Sequence, residues 1–155
     1  MTRVPLSDPS ALLIVAFEGW NDAGDSATTA AQMVVDQNGH QPVLDIDPEE
    51  FFDFHIARPE VEHDSDGSRY LVWPTVTLYA PSKGDDESPL VLLGHEPSRL
   101  WKSFASQMVD HALSRGVEAI VFLGAMLADV PHSRPVKVTA TSDDPAIRKQ
   151  FDIEK

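Results

Sequence analysis

The sequence predicts an α/β protein built on a mixed, largely parallel sheet, and three observations lead there. Three short apolar runs, at residues 11–17, 90–93 and 119–123, consist of Ala, Val, Ile, Leu and Phe with no polar interruption. They are too short for buried helices and lack the alternation of a one-sided sheet, so they read as interior strands covered on both faces. Amphipathic helical stripes follow the first and second runs, and strand, helix, strand at this spacing is the βαβ pattern.

Taken in chain order, the first strand, 11–17, leads into a helix with the stripe Ala27, Ala30, Ala31, Val34 and Val35, closed by Asn38 and Gly39 as a C-terminal cap. Residues 42–47 form a further strand candidate. Segments 69–73 and 76–80 flank Pro74 and Thr75 and alternate like a hairpin or a bent antiparallel pair, which makes the sheet mixed. After the strand at 90–93 comes the strongest stripe: Leu100, Trp101, Phe104, Ala105, Met108, Val109, Ala112 and Leu113. Ser98 is its expected N-cap and Gly116 its stop. The strand at 119–123 follows, then a last strand candidate at 136–141, and Pro145 is placed to open a short final helix.

Composition narrows the function classes. The 155 residues suit one domain with a genuine core, and 42% hydrophobic with 24% charged residues is a globular balance. Twelve basic side chains against 25 acidic ones leave a net charge of −13. A field of that sign repels nucleic-acid phosphates and anionic lipid headgroups, so neither nucleic acid nor membrane is expected as a partner. The stretch 45–66 alone holds nine carboxylates against the single base Arg58, a pattern of solvated surface. Zero cysteines remove disulfides, thiolate metal sites and a Cys nucleophile. The first apolar run is broken by Glu18 before it reaches the length of a signal core or a membrane span, and the expected location is cytoplasmic.

In an open α/β sheet, ligands bind beyond the carboxyl ends of parallel strands, and three such ends are polar here. The first carries Glu18, Gly19, Trp20, Asn21, Asp22, Ala23, Gly24 and Asp25. A Gly-containing turn entering a helix can receive an anion, yet GxGxxG and GK[ST] are both absent, and Asp22 or Asp25 can equally serve as the helix cap. The second carries His95 and Glu96. The third carries Asp129, then His132, Ser133 and Arg134 between Pro131 and Pro135. These groups serve acid–base or anion-binding chemistry if they converge, and a structural pair such as Asp129 with Arg134 if they do not. The candidate ligand-binding residues are therefore Glu18, Trp20, Asn21, Asp22, His95, Glu96, Asp129, His132 and Arg134. A Ser-His-Asp triad using Ser26 or Ser133 lacks a GxSxG elbow, and no HExxH, EF-hand or HxH spacing organises a metal site. No catalytic residue, metal or cofactor is expected.

Five ordered strings, AFEGWNDAGD (16–25), DFHIARPEV (53–61), WP (73–74), GHEPSRLW (94–101) and LGAMLADVPHSRPVKVTATSDD (123–144), resemble the proteasome assembly chaperone 2 family in its bacterial branch. Met126, Ser133, Lys137 and Ala140 stand where Leu, Thr, Pro and Gly are usual, and His95 where Pro is frequent. The resemblance implies a three-layer α/β/α fold similar to the phosphorylase and peptide-hydrolase type. Eukaryotic relatives pair with another subunit and help assemble the proteasome α ring. A non-catalytic protein-binding, chaperone-like module is thus implied, with a protein partner or a homo-oligomer. The competing reading is a small-molecule binder or enzyme with its site at the strand ends. Family members continue past TATSDD with further strands and helices, so residues 1–155 correspond to a single α/β domain that is the N-terminal or truncated part of a longer one.

Overall fold

A computed structural model describes residues 8–82, 87–131 and 133–153. Among these residues, seven strands and four α-helices follow one another as β1 (Leu12–Glu18), α1 (Ser26–Gln37), β2 (Gln41–Asp45), α2 (Pro48–Phe51), β3 (Glu60–His63), β4 (Arg69–Val72), β5 (Val76–Ala80), β6 (Leu90–His95), α3 (Trp101–Ser114), β7 (Ala119–Leu123) and α4 (Pro145–Phe151). Five strands form the main sheet in the order β2-β5-β6-β1-β7. β1 pairs in parallel with both β6 and β7, while β5 runs antiparallel to its neighbours β6 and β2. The sheet is therefore mixed and mostly parallel.

Its two faces bury different side chains because successive residues of a strand point to opposite sides. Leu13 and Val15 of β1 join Phe51, Phe104, Met108 and Ala112 under α2 and α3. Ala16 of β1 and Val91 and Leu93 of β6 join Ala27, Ala31 and Val35 of α1 on the opposite face. Small alanines let α1 lie close to the sheet. The result is a three-layer α/β/α arrangement.

Several local expectations hold for identifiable reasons. Asn38 donates its side-chain amide to the Val34 carbonyl and Gly39 takes a φ of 61°, so α1 ends where the sequence places its cap. Asp144 accepts from the Ala146 N–H and Pro145 opens α4.

Others are corrected. Residues 69–73 and 76–80 do not pair with each other: β4 pairs with β3 in a separate two-stranded ribbon, and β5 enters the main sheet between β2 and β6. Pro74 turns the chain from one sheet to the other. Ser98 does not cap α3. Its backbone N–H and that of Arg99 donate to the Phe51 carbonyl, tying the approach to α2, and α3 starts from Leu100 in a left-handed conformation. The α3 stripe is only partly buried: Phe104, Met108 and Ala112, one every four residues, face the sheet, while Leu100, Trp101, Val109 and Leu113 are exposed. β7 is an edge strand, with Phe122 69% exposed, because its apolar run pairs on one side only among the described residues. Residues 136–141 form no strand, and Val136 and Val138 lie exposed in irregular chain.

Candidate functional site

The parallel register brings the ends of β1 and β6 together. Glu18 and His95 are register partners, and the His95 Nδ1 lies 3.2 Å from the Glu18 carboxylate. Both side chains stay more than a third exposed. The imidazole also stands perpendicular to the Phe52 ring, with the ring centroids 6.5 Å apart.

Beyond β1 the chain turns at Gly19, whose φ of 112° favours glycine, and the Asp22 N–H returns to the Gly19 carbonyl. The turn then pairs with the segment after β7: the Ala125 N–H donates to the Asn21 carbonyl at 2.7 Å, and the Ala23 N–H to the Ala125 carbonyl at 3.1 Å. Beside this pairing lies an open hollow of about 260 Å³ at the carboxyl ends of β1 and β7. Its lining is Phe17, Asn21, Glu96, Phe122, Leu123 and Gly124. Phe17 packs against Trp101 and Phe104, at ring distances of 6.5 and 6.1 Å.

The nine candidate residues separate accordingly. Asn21 and Glu96 share the hollow, and Glu18 and His95 form their pair at the neighbouring strand ends. Asp22 is buried and turned toward α1, where its carboxylate accepts from the N–H groups of Ala27, at 2.6 Å, and Thr28, and from the Thr28 hydroxyl. That is helix-capping geometry. Trp20 projects into solvent, 86% exposed. Asp129 and Arg134 are exposed and form no ion pair with each other. His132 lies outside the described residues.

Phe17, Phe122, Leu123 and Gly124 are members of the site that sequence reasoning did not single out. The signal was available in part: they are the last residues of two apolar runs or the glycine after one. Which runs are neighbours is the missing piece, since Val15 faces Phe122 and Ala16 faces Leu123 only through the sheet register. No three His, Asp or Glu side chains cluster as metal ligands among the described residues. Far from this site, in the ribbon, the Tyr70 hydroxyl donates to Glu62 at 2.7 Å, and that bond, with some burial and the carboxylate's charge, raises the phenol's pKa above its ordinary value.

The PAC2 family model matches residues 16–155. The chain belongs to the PAC2 family. A PAC2 family protein from Streptomyces avermitilis superposes with a TM-score of 0.80 at 38% identity, covering 93% of this chain and 62% of that one. A Mycobacterium tuberculosis proteasome-assembly chaperone homologue superposes with the same score at 32% identity, covering 93% of this chain and 61% of that one. A Corynebacterium glutamicum protein of unknown function gives 0.70 at 29% identity, covering 83% and 47%. No curated protein matches the chain. This PAC2 chain spans about three fifths of the length of the first two relatives. None of its described helices is long and apolar enough to cross a membrane.

Proposed function

We propose that this PAC2 chain is a non-catalytic, cytoplasmic protein-binding module that acts in assembly, attracts a basic partner surface and self-associates. The family match and the description of the M. tuberculosis relative as a proteasome-assembly chaperone homologue support the chaperone-like part. The observation that carries the reading is the apolar surface around β7. Ile120 and Phe122 on that strand and Trp101, Val109 and Leu113 on α3 are exposed, and the outer edge of β7 has no strand beside it among the described residues. An open edge with apolar neighbours is a template for association, and a second copy of the chain is its proposed occupant. The net charge of −13 adds attraction for basic proteins.

Two measurements test this. Light scattering over a concentration series is expected to show a homo-oligomer, and a monomer at every concentration overturns the self-association. Co-purification at low and high salt, read by mass spectrometry, is expected to lose the basic partner at high salt, because attraction between surface charges is screened over about 8 Å at physiological ionic strength. Recovery that salt does not change overturns the electrostatic part.

A second reading, a small-molecule binder or enzyme at the strand ends, draws on the hollow and the adjacent Glu18–His95 pair. Arg134→Ala tests whether the exposed guanidinium belongs to such a site. Loss of binding of an anionic ligand by a folded variant supports it, and unchanged affinity removes Arg134.

A further inference from the structure

We propose that the hollow between Phe17 and Phe122 is a socket for one basic side chain, a lysine or arginine, presented by the basic protein partner and not by the second copy that pairs along the β7 edge. The inference rests on the protein-binding reading and says where that partner is gripped.

Size is the first argument. Pockets that enclose drug-sized ligands or cofactors run from roughly 300 to 1,000 Å³. At about 260 Å³ this hollow falls below that range, yet it holds several times the ~30 Å³ share of a water molecule. A single long side chain fits.

Chemistry is the second. Phe17, Phe122 and Leu123 offer apolar wall to an alkyl stem, and aromatic side chains attract a cation. Glu96 supplies the negative charge, and among the described residues its carboxylate forms no hydrogen bond or ion pair. The Asn21 side-chain amide is likewise without a partner there, although its backbone carbonyl is used by Ala125. An apolar lining that also carries an unpaired carboxylate and a side-chain amide matches an ammonium or guanidinium head on an apolar stem.

Preorganisation is the third. Trp101 and Phe104 brace the Phe17 ring, and the Asn21–Ala125 pairing fixes the loop that carries Asn21. Gly124 lies beside that loop, where a Cβ would stand 3.4 Å from the Asn21 carbonyl oxygen, an ordinary contact distance. One wall, Phe122, is open to solvent, which is the direction from which a partner side chain enters.

The direct test titrates the full chain with Nα-acetyl-lysine methylamide and follows backbone amide shifts by NMR. Saturable shifts at Asn21, Glu96 and Leu123 are expected. They should weaken at least tenfold with the Nε-acetylated probe, which keeps the stem and loses the charge, and in Glu96→Gln. Equal response to both probes, or a Glu96→Gln response equal to wild type, overturns the socket. Glu96 is exposed and unpaired among the described residues, so its variant is expected to fold, and Phe122→Ala provides a second exposed change with the same expected loss. Parallel co-purification of wild type and Glu96→Gln, with the bound material identified by mass spectrometry, separates the two levels of the argument. A protein recovered with wild type and lost with Glu96→Gln supports the socket. A protein recovered equally with both overturns the socket and leaves the assembly reading in place. A free small amine in place of a protein, or no bound protein, overturns the assembly reading and the socket with it.

Discussion

Replacing Asp22 with alanine should destabilise the protein without touching the hollow beside it. The carboxylate is buried and accepts from the Ala27 N–H at 2.6 Å, from the Thr28 N–H at 3.4 Å, and from the Thr28 hydroxyl, which is itself buried. Loss of a side-chain cap at a helix N-terminus costs about 1 kcal/mol. Leaving the buried Thr28 hydroxyl with only a long bond to the Asp25 carbonyl, at 3.4 Å, adds about 1–2 kcal/mol. Together Asp22→Ala is expected to cost about 2–3 kcal/mol, which for a domain of this size lowers Tm by roughly 5–10 °C. Asp22→Asn keeps an acceptor oxygen for the Ala27 N–H and should cost about half as much. Urea unfolding of Asp22→Ala, Thr28→Val and the double variant forms the assay. Because Asp22→Ala/Thr28→Val leaves no poorly bonded hydroxyl, the two costs should fall short of additivity by about 0.5–1.5 kcal/mol. Additive costs, or a loss below about 0.5 kcal/mol for Asp22→Ala, would refute the capping assignment.

Three further outcomes are expected. Gly94 has a φ of 144°, and a Cβ there would stand 2.1 Å from the Thr75 carbonyl oxygen and 2.9 Å from the Val76 Cα. Gly94→Ala must therefore push β5 from β6 and cost about 3 kcal/mol or more, read as a lower urea midpoint; a midpoint like wild type would mean the two strands are not so close. Glu18→Gln should change stability by less than about 0.5 kcal/mol, since both partners of the Glu18–His95 pair are well solvated, and a loss above about 1 kcal/mol would contradict that exposure. In a Tyr79→Phe background, phenolate absorbance should show Tyr70 titrating above the ordinary phenol range, and Glu62→Ala should bring it down. The sign follows from the neutral phenol being the donor: its contribution to the folded ribbon is present below the unfolded phenol pKa and is lost as pH rises through the raised one. An unmoved titration would show that Glu62 is not the cause.

The sequence by itself determined whatever depends on neighbours along the chain. Seven unbroken apolar residues before Glu18 make a strand, Asn38 and Gly39 stop α1, and Asp144 with Pro145 starts α4, because each is decided within one turn of backbone. The five ordered strings identify the family for a related reason, as they preserve local residue order. Pairing across the sheet was not legible. Residues 69–73 suit a ribbon with 60–63 or a hairpin with 76–80 equally well by alternation, and only the closed sheet decides. An apolar run looks the same in the centre as at the edge, so β7 read as interior, and the α3 stripe gave no sign that half of it would face solvent. Asp22 and Asn21 are adjacent in sequence, yet tertiary structure sends one carboxylate under α1 and leaves the other side chain in the hollow. That hollow joins Phe17, Glu96 and Phe122 from three separate strand ends, and its existence depends on β1 lying between β6 and β7. Strand order is a non-local choice among packings, made by burying both faces of the sheet at once.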